Sequence, residues 1–149
     1  MKKLFLIAFV FASGCAIGSP LEDGPAAEEV TPSGQYIVSV THLRYKDGMG
    51  DVTFAHADVL ADKIKSAPGN VGHALRRQIV DRDVWTLSIW TDRESLGNFV
   101  ASPEHLEAIR DVAPTSEIGR TVNFMVDIED SPPSWDRALS ELEKRGIDR

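Results

Sequence analysis

Over 36–44 (YIVSVTHLR) β-branched and apolar side chains alternate, the two-residue period of a strand with one buried face. The loop KDGMGD at 46–51 interrupts it. Over 53–67, Phe54, Ala57, Leu60, Ala61, Ile64 and Ala67 recur at three- and four-residue steps, which predicts an amphipathic helix stopped by Pro68, Gly69 and Asn70. Asp58, Asp62, Lys63 and Lys65 take its solvated side. Strands are predicted at 73–80 and 84–90, joined through Asp81, Arg82 and Asp83, and a hairpin is their simplest pairing. Thr91 with Glu94 forms a capping box, and Ser102 followed by Pro103 is a second helix start. Leu96, Phe99, Val100, Leu106, Ile109 and Val112 share one face across both segments, so 92–111 reads as a broken helix. Over 121–128, Val122, Phe124, Val126 and Ile128 alternate with Thr121, Asn123, Met125 and Asp127, again a half-buried strand. After Pro132 and Pro133, a last helix over 134–145 ends at Gly146.

The order β-α-β-β-α-β with a terminal helix is the ferredoxin-like α+β plan, filling 35–149 as one domain. Two helices cover one face of its sheet, and the other face needs separate cover. The stretch 16–34 is rich in Gly, Pro, Ser, Ala and acids, with too little apolar surface to offset the entropy of ordering it. The expectation for 15–34 is a flexible tether. Ahead of it, Lys2 and Lys3, the apolar run 4–12 and the small pair Ser13 and Gly14 have the layout of a secretory signal over 1–14. The run is shorter than the roughly 20 residues that a membrane-spanning helix takes.

The tetrapeptide ASGC at 12–15 resembles the bacterial lipobox. The resemblance implies that Cys15, the chain's only cysteine, is lipidated and becomes the mature N-terminus, anchored in a membrane by its acyl chains. Ordinary signal cleavage nearby and a chance cysteine in the apolar run are the alternatives. Ala16 stands where an aspartate often retains lipoproteins at the inner membrane of enteric bacteria, which leans the address to the outer membrane, facing the periplasm. The whole chain carries a formal charge of −7. Loss of Lys2 and Lys3 with the leader leaves 14 basic residues against 23 acidic ones, or −9. Such a surface repels phosphate backbones and anionic lipid heads, so nucleic acid is excluded as a partner and membrane contact is expected from the lipid alone.

At 85–110 (WTLSIWTDRESLGNFVASPEHLEAIR) a strand ending in tryptophan leads into a helix with an aromatic residue and a Ser-x-x-His step. This is similar to the antibiotic-biosynthesis-monooxygenase-like superfamily, and the tail PPSWDRALSELEKRG at 132–146 is similar to that of an uncharacterised branch of it. The resemblance implies a dimeric α+β barrel: two copies pack their open sheet faces together around a cavity, so a homodimer is expected. It also implies a range of activities, from cofactor-independent oxygenases acting on polycyclic phenols to haem-degrading oxygenases and members without known chemistry. Haem degradation in that superfamily uses an asparagine on the first strand, a tryptophan and a helical histidine. Here that strand offers Ser39 and Thr41, Phe99 stands for the tryptophan, and His105 comes a turn too early, which argues against haem.

If Trp85, Leu87 and Ile89 face the helices, alternation sends Thr86, Ser88 and Trp90 to the open face, joined by Asn123 and Met125. That lining, with Trp90 as an aromatic platform and Thr41, Ser88 and Asn123 as hydrogen-bonding groups, suits a small planar aromatic ligand; ordinary interface residues are the plainer explanation. His105, three residues after the capping Ser102, is a candidate general base or a local helix-positioning group, and His42 at the end of the first strand is a second acid-base candidate. His56 and His73 read as surface or helix-end residues. Arg76 and Arg77 point to opposite faces of one strand, so one of them can meet an anionic ligand. No spacing of histidines and carboxylates fixes a metal, and Gly48 and Gly50 lack the lysine and hydroxyl of a phosphate loop. Two functions follow. One is a membrane-tethered, cofactor-independent oxygenase for a phenol or quinol, with Trp90 and Asn123 positioning the ring and His42 or His105 moving a proton. The other is a non-catalytic binding or structural module of the same fold, and fold alone does not choose.

Overall fold

The computed structural model describes residues 17–78 and 80–148. Four strands form the sheet's centre: β3 (Gln35–Tyr45), β4 (Asn70–Gln78), β5 (Asp83–Trp90) and β6 (Ser116–Asp127). They lie in the order β4-β5-β3-β6, every pairing antiparallel. α1 (Gly50–Ile64) joins β3 to β4, while α2 (Arg93–Val100) and α3 (Pro103–Val112) join β5 to β6, as the predicted ferredoxin-like plan requires. α4 (Trp135–Arg145) follows β6. Short strands β1 (Ile17–Gly18) and β2 (Glu22–Asp23) pair with the outer side of β4, and β7 (Ile147–Asp148) pairs with β6 at the opposite edge.

The helix starts are set by side chains accepting orphan backbone N–H groups. Ser102 takes the N–H of His105, with Pro103 at the first helical position, and Ser134 takes that of Arg137. The cap of α2 is Asp92, which accepts from the N–H of Ser95 at 2.7 Å, one residue beyond the expected Thr91. An ionised carboxylate at the positive end of a helix is the stronger acceptor.

Alternation separates the two sheet faces correctly, but the helices take the face opposite to the expected one. Ile37 and Trp90 pack under α1 and α2 against Ile64, Ala67, Leu96 and Phe99. Trp85, Leu87 and Ile89 lie on the other side with Tyr36, Val38, Val40, Val122, Phe124 and Val126. The chain itself covers that second face. Ala138, Leu142 and Trp135 of α4 press on it, and Leu21 and Ala26 of the N-terminal segment complete the layer. Val38, Val40 and Ile89 are fully buried within one chain. The packing reason for a homodimer, an open apolar face, is therefore met by α4 and the N-terminal segment.

The flexible tether expected over 15–34 is corrected for its described part. Backbone bonds from Ser19 to Leu75, Gly24 to Val71 and Ala26 to Asn70 seat the segment on β4, and Tyr36 donates its hydroxyl to the Glu29 carbonyl. Edge-strand hydrogen bonding supplies what the low apolar content does not. A Cβ at Gly24 would lie 2.2 Å from the Asn70 carbonyl oxygen, so this approach needs glycine. Leu106 and Ile109 also depart from expectation. They are 53% and 42% exposed, because α3 turns Ala108 and Val112 inward and meets α1 through Glu104–Lys63 and Asp111–His56 pairs.

Candidate functional site

The residues expected to line one cavity divide between the two faces. On the helix side, the register aligns Asn123, Ser39 and Ser88 in one cross-strand row and Thr121, Thr41 and Thr86 in the next. Trp90 is fully buried there and donates its indole N–H to Ser88 Oγ at 2.9 Å, so it is a core residue and offers no platform to a ligand. Thr41 and Thr121 bond each other at 3.1 Å. An aromatic chain continues from Trp90 to Phe99, with centroids 5.1 Å apart, and on to His105 at 5.3 Å, which places His105 against the helix layer. Asn123 opens on a depression of about 270 Å³ at the β6 edge, with Thr121, Arg145 and Ile147.

His42 and Arg76 belong to the opposite face. There the register sets Arg120, His42, Trp85 and Arg76 side by side on β6, β3, β5 and β4. The His42 imidazole stacks on Trp85 at 4.9 Å and 12° between planes. Its Nε2 lies 2.7 Å from Oδ1 of Asp83, the diagonal cross-strand neighbour. Arg44 grips the same carboxylate with both arms, Nε and a terminal nitrogen each at 2.8 Å. Asp83 is only 4% exposed. Burial pushes its carboxyl up, but the bonds from Arg44 and His42 outweigh burial and hold it below the ordinary carboxylate range. The same pairing raises Arg44. On the far side of Trp85, the Arg76 guanidinium sits 5.8 Å from that ring and 6.0 Å from Trp135, in cation–π contact with both. Arg77 points the other way, over Phe54 at 4.4 Å, as strand alternation predicts.

The structure thus unites His42 and Arg76 around Trp85, and separates them from Thr41, Ser88, Trp90, Asn123 and His105. Asp83, Arg44, Trp85 and Trp135 went unassigned in the sequence. Asp83 read as a turn residue, and only the β3–β5 pairing carries it to His42. His73, read as a surface or helix-end residue, is instead buried in the middle of β4, and burial lowers its imidazole below the ordinary value. Among the described residues no group of His, Cys, Asp and Glu can hold a metal ion. Cys15 lies outside the described residues.

No protein-family model matches the sequence, and no curated protein matches it either. Solved structures do share its fold. A protein from Shewanella oneidensis superposes with a TM-score of 0.57 at 14% identity, covering 72% of this chain and 97% of its own. A mutant form of SnoaB, a cofactor-independent oxygenase from Streptomyces nogalater, gives 0.51 at 18% identity over 66% and 98%. An antibiotic biosynthesis monooxygenase gives 0.54 at 14% identity over 61% and 96%. The chain therefore has the ferredoxin-like α+β fold of the antibiotic-biosynthesis-monooxygenase-like proteins.

Proposed function

We propose that the chain is an exported lipoprotein, held at a membrane by acyl chains on Cys15, whose domain oxidises a small aromatic substrate without a cofactor. The contact between His42 and the buried Asp83 carries the catalytic part of this reading. The tautomer that satisfies Asp83 has its proton on Nε2, which leaves the lone pair on Nδ1. Arg44 fixes Asp83, Asp83 fixes the imidazole, and Trp85 supports the ring from beneath. His42 keeps 15% side-chain exposure, enough for a small molecule to reach it. Nδ1 would take the proton of a hydroxyarene, and the electron-rich arenolate would give dioxygen all four electrons: one oxygen atom replaces a ring hydrogen as a carbonyl, leaving a quinone, and the other departs as water with that hydrogen and the phenolic proton. Arg76 beside Trp85 favours the anionic form of the substrate.

A second reading, the non-catalytic binding module, is favoured by Arg44. It occupies both Asp83 oxygens, as in an ion pair that simply locks two strands together. Oxygen uptake with a panel of hydroquinones and polycyclic phenols separates the two. Catalysis requires uptake by the wild type and, in His42→Gln, a fall of roughly a hundredfold or more, the usual scale of general acid-base assistance. Equal rates in the two proteins, or no uptake by either, assign the domain to binding.

A further inference from the structure

The N-terminal segment does more than cover the sheet, because it fixes where a lipid on Cys15 can lie. β1 is the outermost strand at its edge of the sheet, with Ile17 opposite Arg77 and Gly18 opposite Arg76. Two residue steps separate Cys15 from Ile17, and an extended chain covers at most about 7 Å in two steps. Whatever path the chain takes there, acyl chains on Cys15 start beside the β1 edge, without the long leash that a free 15–34 tether would give.

The surface around that point has the composition of a membrane interface. Ile17 is 65% exposed, and Val80, in the β4–β5 turn three residues past Arg77, the cross-strand partner of Ile17, is 80% exposed. Trp135 stands over Gly18, its indole nitrogen 3.9 Å from where a Cβ would be. Arg76 has two rings beside it and no carboxylate within ion-pair distance among the described residues, while Arg77 reaches Asp58 only at 3.9 Å. Ile17, paired with Arg77, lies on one face of this edge, with Trp135 and Arg76 on the other; aliphatic, tryptophan and arginine side chains together suit the headgroup layer, where the indole N–H and the guanidinium find ester and phosphate oxygens. The turn also carries Asp81, bonded by Gln78, and Arg82, paired with Glu117.

We infer that the β1 edge and the β4–β5 turn rest on the bilayer, so that the domain sits edge-down on the phospholipid surface with β7 pointing away. This rests on the lipoprotein reading. It also turns the Arg76 end of the Trp85 row toward the lipid, the side from which an amphiphilic aromatic substrate would arrive from the membrane and not from solution.

The test uses the full chain expressed with its leader, purified from membranes and reconstituted into phosphatidylethanolamine–phosphatidylglycerol vesicles. Val80→Cys and Asp148→Cys, labelled separately with an environment-sensitive fluorophore, are read by quenching from spin-labelled lipids. From β4, beside Val80, to β7, which carries Asp148, is four strand spacings, about 19 Å, more than a headgroup layer is thick. Quenching several-fold stronger at position 80 than at 148 is the expected result. Equal quenching, or stronger quenching at 148, in protein whose Cys15 is shown by mass spectrometry to be acylated, overturns the orientation and leaves the anchor standing. Mass spectrometry showing Cys15 without acyl chains overturns both.

Discussion

Replacing Asp83 by asparagine tests whether the His42–Asp83–Arg44 cluster is as tightly coupled as its geometry says. The carboxylate is 4% exposed and accepts from Arg44 twice and from His42 once. Breaking a buried charge pair commonly costs about 3–5 kcal/mol. Two features reduce that here: the Arg44 side chain is 35% exposed and rehydrates, and asparagine keeps one acceptor oxygen. The expected loss is then roughly 2–3 kcal/mol at pH 7, or about 8–12 °C in Tm for a domain of this size. Urea unfolding of the chain from residue 16, followed by tryptophan fluorescence, measures it. The pH dependence gives a second reading. Because the Asp83 carboxyl is held low in the folded state, its contribution is complete above the unfolded carboxylate value, about 3.9, and disappears as pH falls through the lower folded one. The gap between wild type and Asp83→Asn should be full at pH 7 and close in acid. A loss below about 0.5 kcal/mol at pH 7, the scale of an exposed pair, or a gap unchanged well below the folded value, refutes the reasoning.

Three further outcomes follow from the packing. Gly24→Ala drives a Cβ to within 2.2 Å of the Asn70 carbonyl, so the N-terminal segment should lift from β4 at a cost of about 1–3 kcal/mol. Amide exchange at Leu75, whose N–H is donated to Ser19 Oγ, reports the lift, and unchanged protection there means the segment is not seated as described. Leu142→Ala empties a buried site on α4 and should cost about 2–4 kcal/mol, with new binding of an apolar dye to the uncovered sheet; a neutral result places the cover elsewhere. His73 has its imidazole pushed down, chiefly by burial, so the unfolded chain takes up the proton first. Stability should therefore fall as pH drops through about 6.5 and level off below the folded value, and His73→Gln should flatten that part of the curve in a urea-midpoint series.

The parts of this fold that the sequence displays are those written in local periodicity. Strand alternation over 36–44 and 121–127, the serine cap at Ser102 and the break between α2 and α3 are interactions within a few residues, and all appear in the structure. Which face the helices choose is not local. Ile37 and Trp90 against Val38 and Ile89 give two apolar faces, and alternation alone ranks neither. The choice depends on α4 and on a segment too poor in apolar residues to announce itself, which docks through backbone groups that every residue carries. The site shared this limit. His42 and Arg76 stood out by residue type, but Asp83 is 41 positions from His42, and only the cross-strand register makes them neighbours.

The self-covered sheet face alters how this protein responds to dilution. In a fold that borrows half of its core from a second copy, the unfolding equilibrium contains the protomer concentration, and a scarce protein is a less stable one. Here Val38, Val40 and Ile89 are already shut away by α4 and the N-terminal segment, so this layer of the core brings no such factor. A second copy would add to a core that one chain already closes, so its contribution would come from surface outside this layer.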